Sequence, residues 1–234
     1  MRKLLAFDTS TEACTVALRW SGHDTFRHQI APKAHGDLIL PMIDSLLAEA
    51  GAQLRDLDGI VVGRGPGGFT GVRIAMSVAQ GLALGADVPV VPVSTLAAMA
   101  QGAFRERGVQ RVLCALDARM GEVYYGGYTI ENDEARCVLA EAVTNPGTVR
   151  PPEGAGWFGC GLGFRTFEVE LQSALGGAID EMDPERYPHA LDLLTLGAAN
   201  LARGESVPPE DAIPVYLRDK VVDLPARSQQ KAPA

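Results

Sequence analysis

The chain has 234 residues, 47% of them hydrophobic and 21% charged, which suits one large globular domain or two small ones. Its formal net charge of -8 argues against unaided binding of nucleic acid, because a basic surface drives that binding. No signal-peptide core, membrane-length apolar run or C-x-x-C pair is evident, so we expect a cytoplasmic protein without membrane contact, disulfide framework or zinc cluster.

Strands and helices are predicted to alternate in the first half of the chain. Apolar residues recur either at strand spacing or at helical spacing, with turn residues between the segments. This alternation favours a parallel or mixed sheet with helical cover. The expected elements are strands at 4–7 and 14–20, a helix at 36–50, a strand at 60–62, a helix at 72–84, a short or edge strand at 88–93 and a helix at 95–107.

The second half repeats the opening pattern. An apolar strand at 111–116 ends at Asp117 and is followed by a tight turn and a return strand at 123–128, as the strand at 4–7 ends at Asp8. Two copies suggest two related lobes, with lobe one at 1–108, a smaller lobe two at 109–222 and a disordered tail at 223–234. Beyond residue 130 the pattern weakens: 131–152 is polar, and we expect a strand at 157–161 and helices at 164–174 and 190–202.

The stretch from Gly63 to Arg73 resembles a phosphate-binding loop. A dinucleotide site would need an acid at the end of the next strand, but Asp87 precedes that strand. A P-loop would need a lysine where Phe69 stands, and Pro66 removes one backbone donor. The sequence therefore predicts an architectural strand-to-helix turn in place of a phosphate clamp.

The helix after this loop has a face of small residues. Ala75, Ala79 and Ala83 are spaced by four, which permits close approach either of the chain's own sheet or of a second subunit. The helix at 38–47 is a second candidate for such a surface. The predicted partner-binding residues are Leu38, Met42, Leu46, Gly71, Val72, Arg73, Ala75, Ala79 and Leu82.

Asp8 is the one residue of catalytic type that the sequence singles out. In two-lobed kinases and ATPases, an Asp at this turn acts through Mg²⁺ on nucleotide phosphates, so Asp8, Thr9 and Ser10 form a candidate vestigial nucleotide site. In the second lobe, Arg119 and Met120 follow the corresponding turn and obstruct phosphate binding. The four histidines have no H-x-x-x-H spacing, so we expect no metal site, and we expect no cofactor.

Three segments together resemble the bacterial TsaB (YeaZ) family. They are Leu5–Thr11, Gly65–Ile74 and Pro214–Arg218, and Gly68 stands where serine is the commoner choice. The resemblance implies an actin-like/Hsp70-like (ASKHA) α/β fold, in which two related lobes are each built on a mixed sheet with flanking helices.

The same resemblance implies a non-catalytic activator of the enzyme TsaD, bound largely through helices of the first lobe. TsaD transfers threonylcarbamoyl to the tRNA adenosine next to the anticodon; TsaE would join through the TsaB–TsaD complex, and tRNA would be contacted only indirectly. A homodimer through the same helices is implied when the partner is absent.

Two alternatives stay open on the sequence. An ATP-dependent phosphotransferase of the same fold would bind ATP as an isolated chain and would depend on Asp8. A glycoprotease-like peptidase would need regularly spaced histidine ligands, which this sequence lacks.

Overall fold

The structure, a computed structural model, describes residues 2–151 and 153–218. It confirms the predicted two-lobed α/β fold, with two five-stranded mixed sheets and flanking helices. The strands are β1 (Leu4–Asp8), β2 (Ala13–Trp20), β3 (His23–Ile30), β4 (Gly59–Gly63), β5 (Val90–Val93), β6 (Arg111–Arg119), β7 (Glu122–Glu131), β8 (Glu134–Thr144), β9 (Trp157–Cys160) and β10 (Ile179–Asp183). The helices are α1 (His35–Ala50), α2 (Phe69–Ala86), α3 (Thr95–Arg107), α4 (Leu162–Thr166), α5 (Glu168–Leu175) and α6 (Ala190–Ala202).

The two sheets have the same topology. Their strand orders are β3-β2-β1-β4-β5 and β8-β7-β6-β9-β10. In each sheet the central strand, β1 or β6, forms an antiparallel hairpin with the next strand and pairs in parallel with a later one. The repeat of an apolar strand, an Asp and a tight turn therefore corresponds to a duplicated structural unit, with one Asp at the end of each central strand.

One hydrophobic core joins the two sheets. Ala6 and Val61 of the first sheet, Cys114 and Phe158 of the second and Met99 of α3 belong to the same buried cluster. Helix α6 follows the second sheet in sequence but packs on β1, β2, β4 and β5 of the first. The lobe boundary near residue 108 stays a prediction, and the proposed tail at 223–234 lies outside the described residues.

Three strands were not predicted: β3, β8 and β10. Strand β3 is exposed along almost its whole length, and β8 falls in the segment whose polar residues suggested loops. All three lie at sheet edges, where a strand pairs with only one neighbour and need not be buried. They therefore lack the apolar pattern by which the sequence reveals the central strands. The expected single helix at 164–174 is instead two helices, α4 and α5, interrupted at Phe167 with φ of -124°.

Helix α2 has two unlike faces. By length and composition alone it could cross a membrane, contrary to the expectation that no apolar segment is long enough. Its inner face packs on the first sheet, yet only 28% of the helix is buried. The exposed residues of α2 are Phe69, Thr70, Arg73, Ser77, Gly81, Leu84 and Gly85, of which Phe69 and Leu84 are large apolar side chains.

Candidate functional site

The Asp8 carboxylate holds the β1–β2 turn together. One oxygen, Oδ1, accepts hydrogen bonds from the backbone N and the Oγ of Ser10, both at 2.6 Å. The other, Oδ2, accepts from Thr95 Oγ1 at 2.8 Å. Asp8, Thr9 and Ser10 are all buried. Burial raises the pKa of Asp8, and the hydrogen bonds from Ser10 and Thr95 oppose that shift. Both carboxylate oxygens are therefore occupied by the protein's own donors.

The glycine-rich loop packs directly on this turn. Gly68 N donates to Ser10 O at 2.6 Å, and Thr9 Oγ1 donates to Gly71 O at 2.7 Å. A Cβ at Gly67 would lie 2.4 Å from Ser10 O, and one at Gly71 would lie 1.9 Å from Thr9 O. These glycines are needed for close backbone approach between the glycine-rich loop and the β1–β2 turn.

The second lobe has an equivalent turn with a different chemistry. Asp117 Oδ1 accepts from the backbone N of Arg119 at 2.7 Å, which repeats the two-residue spacing of Asp8 and Ser10. The Arg119 guanidinium also lies 3.1 Å from Asp117 Oδ2. Arg119, Met120 and Gly121 all have positive φ, so the tight turn carries an arginine and an exposed methionine at its tip.

A cleft of about 770 Å³ separates the two turns. Thr9, Gly67 and Phe69 line it from the first lobe, and Leu116, Arg119 and Tyr124 line it from the second. Within residues 2–151 and 153–218, no group of three His, Cys, Asp or Glu side chains is arranged to hold a metal ion.

Four of the predicted partner-binding residues belong to the protein's own core. Leu46, Val72, Ala75 and Ala79 are buried on the inner faces of α1 and α2. Leu46, Ala75 and Ala79 share the buried cluster of the first sheet, and contact of these four residues with a partner stays a prediction.

The other five predicted residues have more accessible positions. Leu38, Met42 and Leu82 are partly buried along the contact between α1 and α2, and Arg73 is exposed. Gly71 is partly buried and serves the close contact with Thr9. The structure therefore brings part of the predicted set together on one helical surface.

The exposed face of α2 has its own stripe of small residues. Ser77, Gly81 and Gly85 are spaced by four and are exposed, and Leu84 beside them is 72% exposed. A Cβ at Gly81 or Gly85 would meet nothing within 4 Å. Sequence analysis missed this stripe because it has the same spacing as Ala75, Ala79 and Ala83, shifted by two residues.

Arg73 lies between two aromatic rings at the start of α2. Its guanidinium carbon is 3.6 Å from the ring centre of Phe69 and 5.6 Å from that of Tyr216. Its Nε also donates to the Tyr216 hydroxyl at 2.8 Å. Two of the three segments that suggested the family, the glycine-rich loop and Pro214–Arg218, are thus in contact.

Comparison with known proteins identifies the family. The family model described as "TsaD: tRNA N6-adenosine threonylcarbamoyltransferase" matches residues 27–224. The tRNA threonylcarbamoyladenosine biosynthesis protein TsaB of Escherichia coli is 43% identical over 224 residues, covering 94% of this chain and 96% of that one. TsaB of Haemophilus influenzae is 38% identical over 235 residues, covering 96% and 98%.

A solved structure agrees with these relatives. YeaZ from Pseudomonas aeruginosa is 47% identical, with a TM-score of 0.88 over 93% of this chain and 100% of that chain. Identity, coverage and fold point to one family, and they agree with the three motif segments. The chain belongs to the TsaB (YeaZ) family of tRNA threonylcarbamoyladenosine biosynthesis proteins.

Proposed function

We propose that this chain is a non-catalytic partner that activates TsaD in the transfer of threonylcarbamoyl to the tRNA adenosine next to the anticodon. The observation that carries the proposal is the state of Asp8, whose two carboxylate oxygens accept three internal hydrogen bonds and whose side chain is buried. An Asp that acts through Mg²⁺ on a nucleotide must offer a free oxygen to the metal or its water. In this chain both Asp8 oxygens instead accept hydrogen bonds that stabilise the β1–β2 turn.

The glycine-rich loop supports the same proposal. In phosphate-binding loops, glycines allow backbone N–H groups to reach the ligand. In this chain the N–H of Gly68 is directed to Ser10 O, and Gly71 lies against Thr9. The phosphotransferase alternative would require this packing to open before a nucleotide could bind.

The outer surface of α1 and α2 is the proposed site for TsaD. Phe69 and Leu84 of α2 and Leu40 of α1 are exposed large apolar side chains, and exposed apolar surface marks interaction sites. Gly81 and Gly85 lie in a helix, where glycine costs about 1 kcal/mol relative to alanine, and an added Cβ at either position has open space around it. Close approach of a partner helix explains both glycines.

The charge of the chain supports a division of labour with that partner. At a formal charge of -8, the protein is poorly suited to neutralise tRNA phosphates, so we propose that TsaD makes the tRNA contacts. TsaE would bind the TsaB–TsaD assembly. A second copy of the chain would use the same helical surface when TsaD is absent, and the complex would act in the cytoplasm.

The test is tRNA threonylcarbamoylation by purified TsaD and TsaE with TsaC, the enzyme that makes the threonylcarbamoyl-adenylate donor, in the presence and absence of this protein. We expect activity to require the protein, to survive Asp8→Asn and to be lost in Gly81→Leu. The matched control is Arg165→Ala, which removes an exposed ion pair with Glu185 far from this surface. Activity that is independent of the protein would refute the proposal, and activity that a folded Asp8→Asn variant abolishes would favour the phosphotransferase.

A further inference from the structure

The segment Ile213–Arg218, here called the strap, is anchored to the first lobe. Just before it, the Ala212 carbonyl accepts a hydrogen bond from Gln80 Nε2 of α2 at 2.9 Å. Within it, Val215 N donates to Arg64 O at 3.0 Å, which joins the strap to the glycine-rich loop.

Tyr216 makes the third contact with the first lobe. Its hydroxyl accepts from Arg73 Nε, and its ring lies 6.0 Å from the ring of Phe69. Because Arg73 also stacks on Phe69, the three side chains form one cation–π cluster at the start of α2. This end of the strap is therefore held by main-chain and side-chain contacts.

The other end of the strap is bound to the second lobe. The Arg218 guanidinium donates to the carbonyl of Ala118 at 3.2 Å and contacts the carbonyl of Arg119 at the β6–β7 turn. It also pairs with the carboxylate of Glu122. The Arg218 side chain is 18% exposed, so these are charge-assisted contacts with limited access to water.

The strap lines the cleft between its two anchors. Val215 and Arg218 both contribute to the lining of the 770 Å³ cavity. A further ion pair joins the lobes, from Arg64 in the glycine-rich loop to Glu141 of β8 at 3.2 Å. Glu141 is fixed in turn by the Tyr128 hydroxyl at 2.8 Å.

We propose that the strap holds the two lobes at one separation, and that Arg218 provides its attachment to the second lobe. Lobes on either side of a cleft commonly rotate about a hinge when a ligand binds. In this chain the shared core joins the sheets along their strands, and the strap adds a second connection at the carboxyl ends of β1 and β6. Rotation that opened the cleft would have to break the Arg218 contacts, together with the Arg64–Glu141 ion pair.

The strap also connects the start of α2 with the β6–β7 turn of the second lobe. Tyr216 contacts Arg73, which stacks on Phe69, and Arg218 binds the same strap to the second lobe. The strap therefore resists motion of one lobe relative to the other. The inference concerns the isolated chain and does not depend on binding to TsaD, so its test can fail while the proposed function holds.

The test compares wild type with Arg218→Ala by amide hydrogen exchange and by spin-label distances. Labels at Ala48→Cys on α1 and Val169→Cys on α5, in a Cys137→Ala background, report the separation of the lobes; all three positions are exposed. We expect exchange at the Val215 amide and the β6–β7 turn to rise about tenfold in Arg218→Ala, as for the loss of one charge-assisted hydrogen-bonded contact. The label distances should broaden at the same time.

The control is Arg165→Ala, which removes an arginine–glutamate pair confined to the second lobe and should leave exchange and distances unchanged. Wild-type exchange and distances in Arg218→Ala would overturn the proposal, as would an equal effect of Arg165→Ala. If Arg218→Ala does not fold, Glu122→Gln removes only the ion pair. Faster exchange confined to the turn and the strap would then support the proposal, and wild-type exchange would refute it.

Discussion

Gly81 provides the sharpest test of the partner surface, because one substitution should act in opposite directions on stability and on binding. The residue lies in the interior of α2, is exposed, and would place an added Cβ in open space. Alanine there adds a methyl group that meets no side chain or other segment within 4 Å among the described residues. We therefore predict that Gly81→Ala stabilises the isolated protein and weakens its complex with TsaD.

The expected size follows from helix propensity and from packing. Replacing an exposed helical glycine by alanine contributes about 1 kcal/mol to the free energy of unfolding. For a chain of this length, that is a rise in Tm of roughly 2–4 °C. An extra methyl in a close helix–helix contact costs about 1–3 kcal/mol, which corresponds to a rise in Kd of about 5- to 150-fold. Gly81→Leu should abolish measurable binding.

The assay is thermal unfolding of the isolated chain together with titration calorimetry against TsaD. Unfolding should be measured at several low concentrations, since self-association through the same face would make Tm depend on concentration. Gly177→Ala is the control, because Gly177 lies between α5 and β10, outside α1 and α2, with φ of -81° and nothing within 4 Å of an added Cβ. It should leave Kd unchanged. An unaltered Kd in both Gly81 variants, or a lower Tm in Gly81→Ala at concentrations where the chain is monomeric, would refute the reasoning.

Three further predictions concern stability, measured by urea unfolding of each variant. Gly71→Ala should lower the free energy of unfolding by about 1–3 kcal/mol, since its Cβ would overlap Thr9 O; a neutral effect would contradict the packing described for the glycine-rich loop. Asp8→Ala leaves buried donors unpaired and should lower the free energy of unfolding by about 3 kcal/mol. Asp8→Asn keeps an acceptor oxygen and should lower it by only about 1 kcal/mol. Equal losses in the two variants would argue against the hydrogen-bond role of Asp8. His189, whose pKa is lowered from 6.5 to about 4 by burial and then by the charge of His28, should make the protein less stable as pH falls from 6.5 to 4, because the unfolded state binds the proton first. His189 Nδ1 accepts a hydrogen bond from Leu191 N and so caps the start of α6. His189→Asn should keep this N-cap and flatten the dependence of stability on pH. An unchanged pH dependence in the variant would exclude His189 as its source.

Much of the fold follows from the sequence. Central strands such as β1 and β6 are short apolar runs, and α1, α2 and α3 show clear helical spacing, so local pattern and burial agree there. The two Asp turns revealed the duplication because an apolar strand, an Asp and a tight turn form the same sequence pattern in both lobes. The motif segments also identified the family, which the relatives confirm.

The role of Asp8 depended on residues far away in sequence. A carboxylate at a strand end can bind a metal or brace a turn, and the neighbouring residues are the same in both cases. The decision rests on Thr95, 87 positions later, and on the loop around Gly67 and Gly71 that covers the turn. Such contacts between distant segments cannot be deduced from periodicity.

The orientation of α2 was likewise decided by tertiary structure. The stripes at Ala75, Ala79 and Ala83 and at Ser77, Gly81 and Gly85 have identical spacing, and small residues provide little hydrophobic contrast between a buried and an exposed face. Sequence alone therefore determined the family, the duplicated strand–turn unit and the existence of a smooth helix. Only packing on the first sheet decided which stripe was buried and which was left exposed, because burial depends on the neighbours that a helix meets and not on its spacing alone.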